Sequence, residues 1–332
     1  MNHRKLILII ALAISLLSPS AIAAPQTIHQ VDPEYRAAIP YLTLNLTSDE
    51  DVQAEDKVHL TTEDRAVHPS ILTVDDLELR IYRPQQAQTD KLPIIYYSHG
   101  GGYLMRRAYY HSASYQKMAD RLQAAIVTPK YRTSMEAPFP AAVEDAYKGL
   151  RYFYDKSEQL GLDKNRIIIM GNSAGGGLTA AMAFYNRDHD AIPLKGQVLV
   201  YPMLDDRTGS KDDPYKSPNT GEILWNPETN VFAWQKLRGG KTIPSDQVGY
   251  FSPIRAQRLD HLPPALIYVG DLDLFVNEDI AYANRLIENG ITTELHVIPG
   301  LYHGFDNAAP NAEKTNAFWQ TVTHFTTALL SK

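Results

Sequence analysis

Two glycine-rich signatures in this chain have the residue types and spacing for acyl-transfer chemistry: Gly171-Asn172-Ser173-Ala174-Gly175 and His99-Gly100-Gly101-Gly102. A serine on a sharp strand-to-helix turn presents its hydroxyl as a nucleophile, and the helix that follows points its N-terminal amides and positive dipole end at any oxyanion formed there. Three successive glycines can aim further backbone N–H groups into the same cavity. A phosphate cradle is the other use of such a loop, but it would require Gly-Lys-Ser/Thr before its helix, and no such triplet follows Gly102. Ser173 is therefore the expected nucleophile, with His99 and Gly100 shaping the loop that faces it.

These residues need a scaffold that holds them at one edge. Residues 166–170 form an apolar run before the first glycine of the serine turn, and Leu178, Ala181, Met182 and Tyr185 then recur at helical spacing. Residues 93–98 are a second such run, ending at His99. Across the chain, strands are expected at 77–82, 94–98, 125–128, 167–170, 198–201, 266–269 and 294–298. Amphipathic helices are expected at 114–123, 141–160, 178–186 and 279–289. Alternating strands and helices with near-continuous apolar strands imply an α/β fold with a mostly parallel sheet covered on both faces. Chemistry in such sheets sits at the carboxyl ends of the strands, where both glycine signatures fall.

A serine hydroxyl needs a base within reach, and the base needs a carboxylate to fix its tautomer. The strand ending near residue 298 runs into Pro299-Gly300-Leu301-Tyr302-His303-Gly304-Phe305, which places His303 on a tight loop at the carboxyl edge. His296 lies within that strand and His324 on the C-terminal helix, while His111, His189 and His261 lack a glycine-flanked setting. The strand at 266–269 leads into Gly270-Asp271-Leu272-Asp273, and by position either Asp271 or Asp273 could reach His303, the other capping the following turn. Glu278 and Asp279 read as first-turn acids of the next helix, stabilised by its dipole. In the Asp205-Asp206-Arg207 cluster the expectation is a turn ion pair rather than paired glycosidase carboxylates.

The chain has 332 residues, a formal net charge of −6 and no cysteine. Arg4 and Lys5, the apolar run 6–17 and Ala21-Ile22-Ala23 fit a secretory leader, with cleavage expected after Ala23 and the mature protein periplasmic or secreted. The run is shorter than the roughly 20 residues of a membrane-spanning helix, so no stable membrane insertion is expected after cleavage. Two cations and no acid leave with the leader, taking the charge to −8, which argues against nucleic-acid binding. Without cysteine, disulfides and thiolate metal sites are excluded, and the core must supply the stability. Residues 24–75 read as an accessory segment and 76–332 as one catalytic domain, interrupted at about 205–250 by a stretch with Trp225, Trp234 and many Gly, Pro, Asn and Asp residues.

With these residues assembled, the chain resembles the hormone-sensitive-lipase-like carboxylesterases, the HGGG-type branch of the α/β-hydrolase superfamily. The resemblance rests on His99 to Tyr103, Tyr131-Arg132, Pro138 to Ala142, the turn at Ser173, Tyr201-Pro202, Asp273-Leu274-Phe275 and Tyr302 to Phe305. It implies the α/β-hydrolase fold with a helical cap, built from the N-terminal segment and the stretch after Tyr201. It also implies a triad of Ser173, Asp273 and His303, so Asp273 rather than Asp271, with oxyanion donors from the backbone of Gly101, Gly102 and Ala174. Neither metal nor organic cofactor is implied. The substrate class is a small-molecule carboxylic ester, with Tyr103 and the aromatic cap favouring short or medium acyl chains. Peptidase or amidase chemistry on the same fold is one alternative. A noncatalytic small-molecule receptor is another, disfavoured by the presence of His303. Two departures stand out: Asn172 where the family commonly has Asp, and Thr133-Ser134-Met135-Glu136 where it has Leu-Ala-Pro-Glu, which alters the expected shape of that loop.

Overall fold

Eight strands form one sheet in the computed structural model, which describes residues 25–42, 44–215 and 217–331. The expected leader, residues 1–23, lies outside the described residues. The strands are β1 (Ser70–Val74), β2 (Leu77–Tyr82), β3 (Leu92–Ser98), β4 (Ala125–Pro129), β5 (Leu162–Asn172), β6 (Gly196–Val200), β7 (Ala265–Gly270) and β8 (Thr293–Ile298). Their order is β1-β2-β4-β3-β5-β6-β7-β8. β2 is antiparallel to β1 and β4, and the remaining neighbours are parallel.

The longer helices are α1 (Ser112–Leu122), α2 (Ala141–Lys156), α3 (Ala174–Asp188), α4 (Pro227–Arg238), α5 (Val276–Glu288) and α6 (Glu313–Leu330). Strand periodicity divides the apolar side chains into two layers. Ile94, Tyr96, Ile167, Ile169, Leu199 and Ile267 cluster with Phe153, Leu178 and Leu286 of α2, α3 and α5. Ile95, Tyr97, Ile168, Met170, Val198 and Leu266 cluster with Tyr115, Met118, Phe318 and Val322 of α1 and α6. Each fully buried large apolar side chain contributes roughly 1.5–3 kcal/mol, which is how a chain without disulfides holds together.

All seven expected strands are present, and the sheet begins earlier than residue 77. β1 pairs with β2 in register from Ser70 opposite Ile81 to Val74 opposite Leu77, so residues 70–74 belong to the sheet and not to the accessory segment. The helix expected from 178 begins at Ala174, through Gly175, Gly176 and Gly177. Glycine is a poor helix former, but a Cβ on Gly176 would press on Pro202 and one on Gly177 would strike the Met203 carbonyl, so close packing overrides propensity here.

The chain runs from β3 to β4 on one side and then returns to β5 on the other side of β3. This reversal sets the two glycine loops side by side at the carboxyl ends of β3 and β5, the switch point at which open α/β sheets bind ligands.

Candidate active site

Ser173 stands between β5 and α3 with φ +56° and ψ −127°, a backbone conformation that non-glycine residues rarely adopt. Three backbone bonds hold it there. Its N–H donates to Val200 at 2.9 Å, and its carbonyl accepts from Gly177 and Met203 at 3.0 Å each. Glycine is required on both sides: a Cβ on Gly171 would collide with the Gly175 carbonyl, and one on Gly175 would run into the carbonyl oxygens of Ser98 and His99.

The structure brings the three expected side chains together although the sequence separates them widely. His303 Nε2 lies 2.9 Å from Ser173 Oγ, and His303 Nδ1 lies 2.8 Å from Asp273 Oδ2. Asp273 is fully buried, and its second oxygen accepts the Phe275 amide at 2.9 Å. With a carboxylate on Nδ1, that nitrogen carries the proton and Nε2 is left to accept from the serine. Ser173 and His303 are each only 5 % exposed. Tyr201 and Phe275 set their rings edge-on to the imidazole at 4.7 and 5.2 Å, fixing its plane.

Asp271 is exposed and accepts the Gly300 amide at 2.7 Å. It therefore fastens the turn leading to His303, not the turn following its own strand.

The loop after β3 faces the serine from the other side. Gly101 has φ +122° and Gly102 φ +64°, and among the described residues their amides donate to no protein acceptor. Ala174 is the first residue of α3, where the N–H has no intrahelical acceptor. His99 is buried beneath the loop, its ring stacked on Tyr131 at 4.4 Å. Burial pushes its pKa down to about 4. The neutral ring donates from Nδ1 to the Gly100 carbonyl at 2.7 Å, and Tyr131 donates its hydroxyl to the His99 carbonyl at 2.7 Å. Tyr131 is thus a loop-shaping residue that the sequence showed only as part of a motif.

Tyr103 is buried, with φ +58°, and its carbonyl accepts both the amide and the hydroxyl of Ser134 at 2.7 and 3.0 Å. The variant loop 133–136 thereby keeps a defined shape, closed by Glu136 accepting the Thr133 amide at 2.9 Å and pairing with Arg106.

Trp225 covers the glycine loop: its outer ring edge stands where a Cβ on Gly102 would be, and its ring centroid is 6.3 Å from that of His303. Its indole N–H donates to Asn230 at 3.0 Å, and Asn230 donates to the Thr208 carbonyl at 2.8 Å. The Thr208 hydroxyl in turn donates to Glu278.

Glu278 and Asp279 do lie in the first turn of α5, but both are fully buried. Burial raises both carboxyl pKa values well above the usual range, with Asp205 adding to the effect at Glu278, and Glu278 and Asp273 at Asp279. Glu278 accepts the Leu204 amide at 2.6 Å, whereas neither oxygen of Asp279 has a partner among the described residues. The first-turn placement is as expected, and the burial that raises both carboxyls is what the sequence reading did not include. The Asp205–Arg207 pair forms as expected, at 2.7 Å, and Arg238 and Arg255 hold Asp206 at 2.6 and 2.9 Å.

The chain as a whole is similar to known proteins. The family described as alpha/beta hydrolase fold matches residues 95–307. The carboxylesterase NlhH of Mycobacterium tuberculosis is 32% identical over 257 residues, covering 75% of this chain and 77% of that protein. An ethyl acetate hydrolase of Pseudomonas putida is 28% identical, covering 69% and 71% respectively. Among solved structures, the esterase LipW of Mycobacterium marinum superposes with a TM-score of 0.79 at 26% identity, covering 93% of this chain and 98% of that one.

Proposed function

Because this chain belongs to the alpha/beta hydrolase family, we propose that Ser173, His303 and Asp273 are its catalytic triad and that the amides of Gly101, Gly102 and Ala174 bind the oxyanion. The chain is a carboxylic ester hydrolase. The observation that carries the triad reading is His303 bridging Ser173 and Asp273 with its two nitrogens, at 2.9 and 2.8 Å.

The mechanism follows from that bridge. Ser173 Oγ attacks the ester carbonyl carbon while its proton passes to His303 Nε2, and the carbonyl oxygen takes the negative charge under the loop amides. Asp273 stays ionised and steadies the imidazolium. The tetrahedral intermediate collapses by breaking the bond to the alkoxy oxygen, which leaves as the alcohol with the proton from Nε2. Water then attacks the acyl carbon while giving a proton to the same nitrogen, and collapse of this second intermediate breaks the bond to Ser173 Oγ, which takes that proton back as the acid leaves.

The substrate is a small ester with a short or medium acyl chain. Support comes from the near-complete burial of Ser173, from Trp225 lying against Gly102 and from the buried Tyr103, whose hydroxyl reaches Gly177 at the start of α3. The segment from residue 25 and the stretch at about 205–250 together act as the cap. Leu46 N–H donates to Thr229 and Asn226 donates to the Leu44 carbonyl, which ties the two pieces to each other. Export by residues 1–23 belongs to the same proposal, and N-terminal sequencing of the secreted protein is expected to begin at Ala24.

Pre-steady-state kinetics test the acyl-enzyme. A burst of p-nitrophenol stoichiometric with enzyme, and much slower turnover of the matching p-nitroanilide, are the expected results. Anilide turnover equal to that of the ester would favour an amidase instead.

A further inference from the structure

Behind the nucleophile, four polar side chains form one hydrogen-bonded row that acyl transfer does not use. Tyr97 Oη donates to Asn172 Oδ1 at 2.8 Å, Asn172 Nδ2 donates to Tyr201 Oη at 3.4 Å, and Tyr201 Oη donates to Asp306 Oδ1 at 2.6 Å. The row passes through the residue directly before Ser173 and ends three residues after His303. Tyr201 is itself fixed: its N–H donates to Tyr268 at 2.7 Å, and its ring sits edge-on to the His303 imidazole.

Proton counting makes the row directional. The Tyr201 hydroxyl has one proton and gives it to Asp306, so the group on its other side must be a donor. An amide at position 172 meets that demand with its NH2 while its oxygen accepts from Tyr97. A carboxylate at 172 would set two acceptors against a single tyrosine proton and leave one of them facing a lone pair.

We infer that Asn172, Tyr201 and Asp306 are positioning residues that latch the turn bearing Ser173 to the turn bearing His303, and that the amide at 172 and the carboxylate at 306 are required as a pair. This inference rests on the triad reading above. It gives the departure at Asn172 a physical reason: the choice of side chain there is set by Asp306. Exchanging the two groups keeps the row intact with its direction reversed. In the double variant Asn172→Asp/Asp306→Asn, the tyrosine proton turns toward position 172 and the amide at 306 donates to the tyrosine oxygen.

The test compares the wild type, Asn172→Asp, Asp306→Asn and the double variant by kcat and KM on p-nitrophenyl butyrate, by the rate of covalent labelling with a fluorophosphonate, and by thermal unfolding. Each single change is expected to lower kcat and the labelling rate about tenfold with KM altered by less than about twofold, and the double variant to recover to within about threefold of wild type. Single variants with wild-type kcat overturn the latch, as does a double variant no better than the worse single one. Recovery of thermal stability without recovery of kcat overturns it too, since the row would then only hold the fold. In those outcomes wild-type turnover leaves the triad reading standing, whereas a wild type inert to both ester and fluorophosphonate removes both.

Discussion

Ser173 occupies a backbone region that costs a non-glycine residue roughly 1–3 kcal/mol, and the surrounding turn must oppose that cost. Ser173→Gly should therefore unfold at higher denaturant than Ser173→Ala, by about 1 kcal/mol or more, although both lack the hydroxyl. Equal stabilities would mean that the turn is unstrained. Replacing Asp273 by Asn leaves the imidazole in the wrong tautomer and is expected to lower kcat by about 10⁴. His99 provides a pH signature separate from the chemistry. Its folded pKa of about 4 lies below the ordinary value of 6.5, so between these values the unfolded chain binds more protons than the folded one. This contribution to stability is complete above pH 6.5 and is lost as pH falls toward 4, at a slope of up to about 1.4 kcal/mol per pH unit. His99→Gln should flatten that limb in urea titrations at pH 4.5, 5.5 and 7. An unchanged slope would show that another group carries it.

The glycine loop after β3 and the first turn of α5 act as elements. Gly102→Ala forces a side chain into a left-handed residue and against Trp225, so the amides lose their aim. A fall in kcat of about 10² to 10³ is expected, the usual cost of one oxyanion donor. At the start of α5, Asp279 is buried with no partner among the described residues, and burial keeps its carboxyl protonated above the usual range. A raised folded pKa gives stability that is complete below the unfolded value and lost as pH rises through the folded one. Asp279→Asn should thus gain in melting temperature relative to wild type as pH goes from 5 to 8, and a pH-independent difference would contradict that environment.

The two glycine signatures and the loop around His303 were legible in the sequence because close backbone approach admits only small residues and leaves a local pattern. The sheet's central strands were legible through their apolar runs. β1 was not, since its apolar residues Ile71, Leu72 and Val74 are few, interrupted by Thr73 and left exposed or half-buried at the sheet edge. Asp271 and Asp273 were equivalent by position, and only the tertiary turn gives one of them the Gly300 amide and the other the imidazole. The burial of Glu278 and the row through Tyr201 arise from contacts between distant segments, which periodicity does not encode.

At the scale of the molecule, the N-terminal segment ties the stretch after Tyr201 to the turn bearing His303. Thr27 donates its amide and hydroxyl to Glu222 at 2.9 and 2.7 Å, Asp32 donates its amide to Gly300 at 3.0 Å, and Tyr302 donates its hydroxyl to the Tyr35 carbonyl at 2.9 Å. Among the described residues, no helix is long and apolar enough to cross a membrane. The most direct test of ester hydrolysis through Ser173 is the turnover of p-nitrophenyl esters from acetate to palmitate by purified residues 24–332, beside the Ser173→Ala variant. Hydrolysis that is strongest for short and medium chains, and that falls by about 10⁶ in the variant, is the expected result. Turnover that survives the loss of Ser173, or none across the whole series, would contradict it.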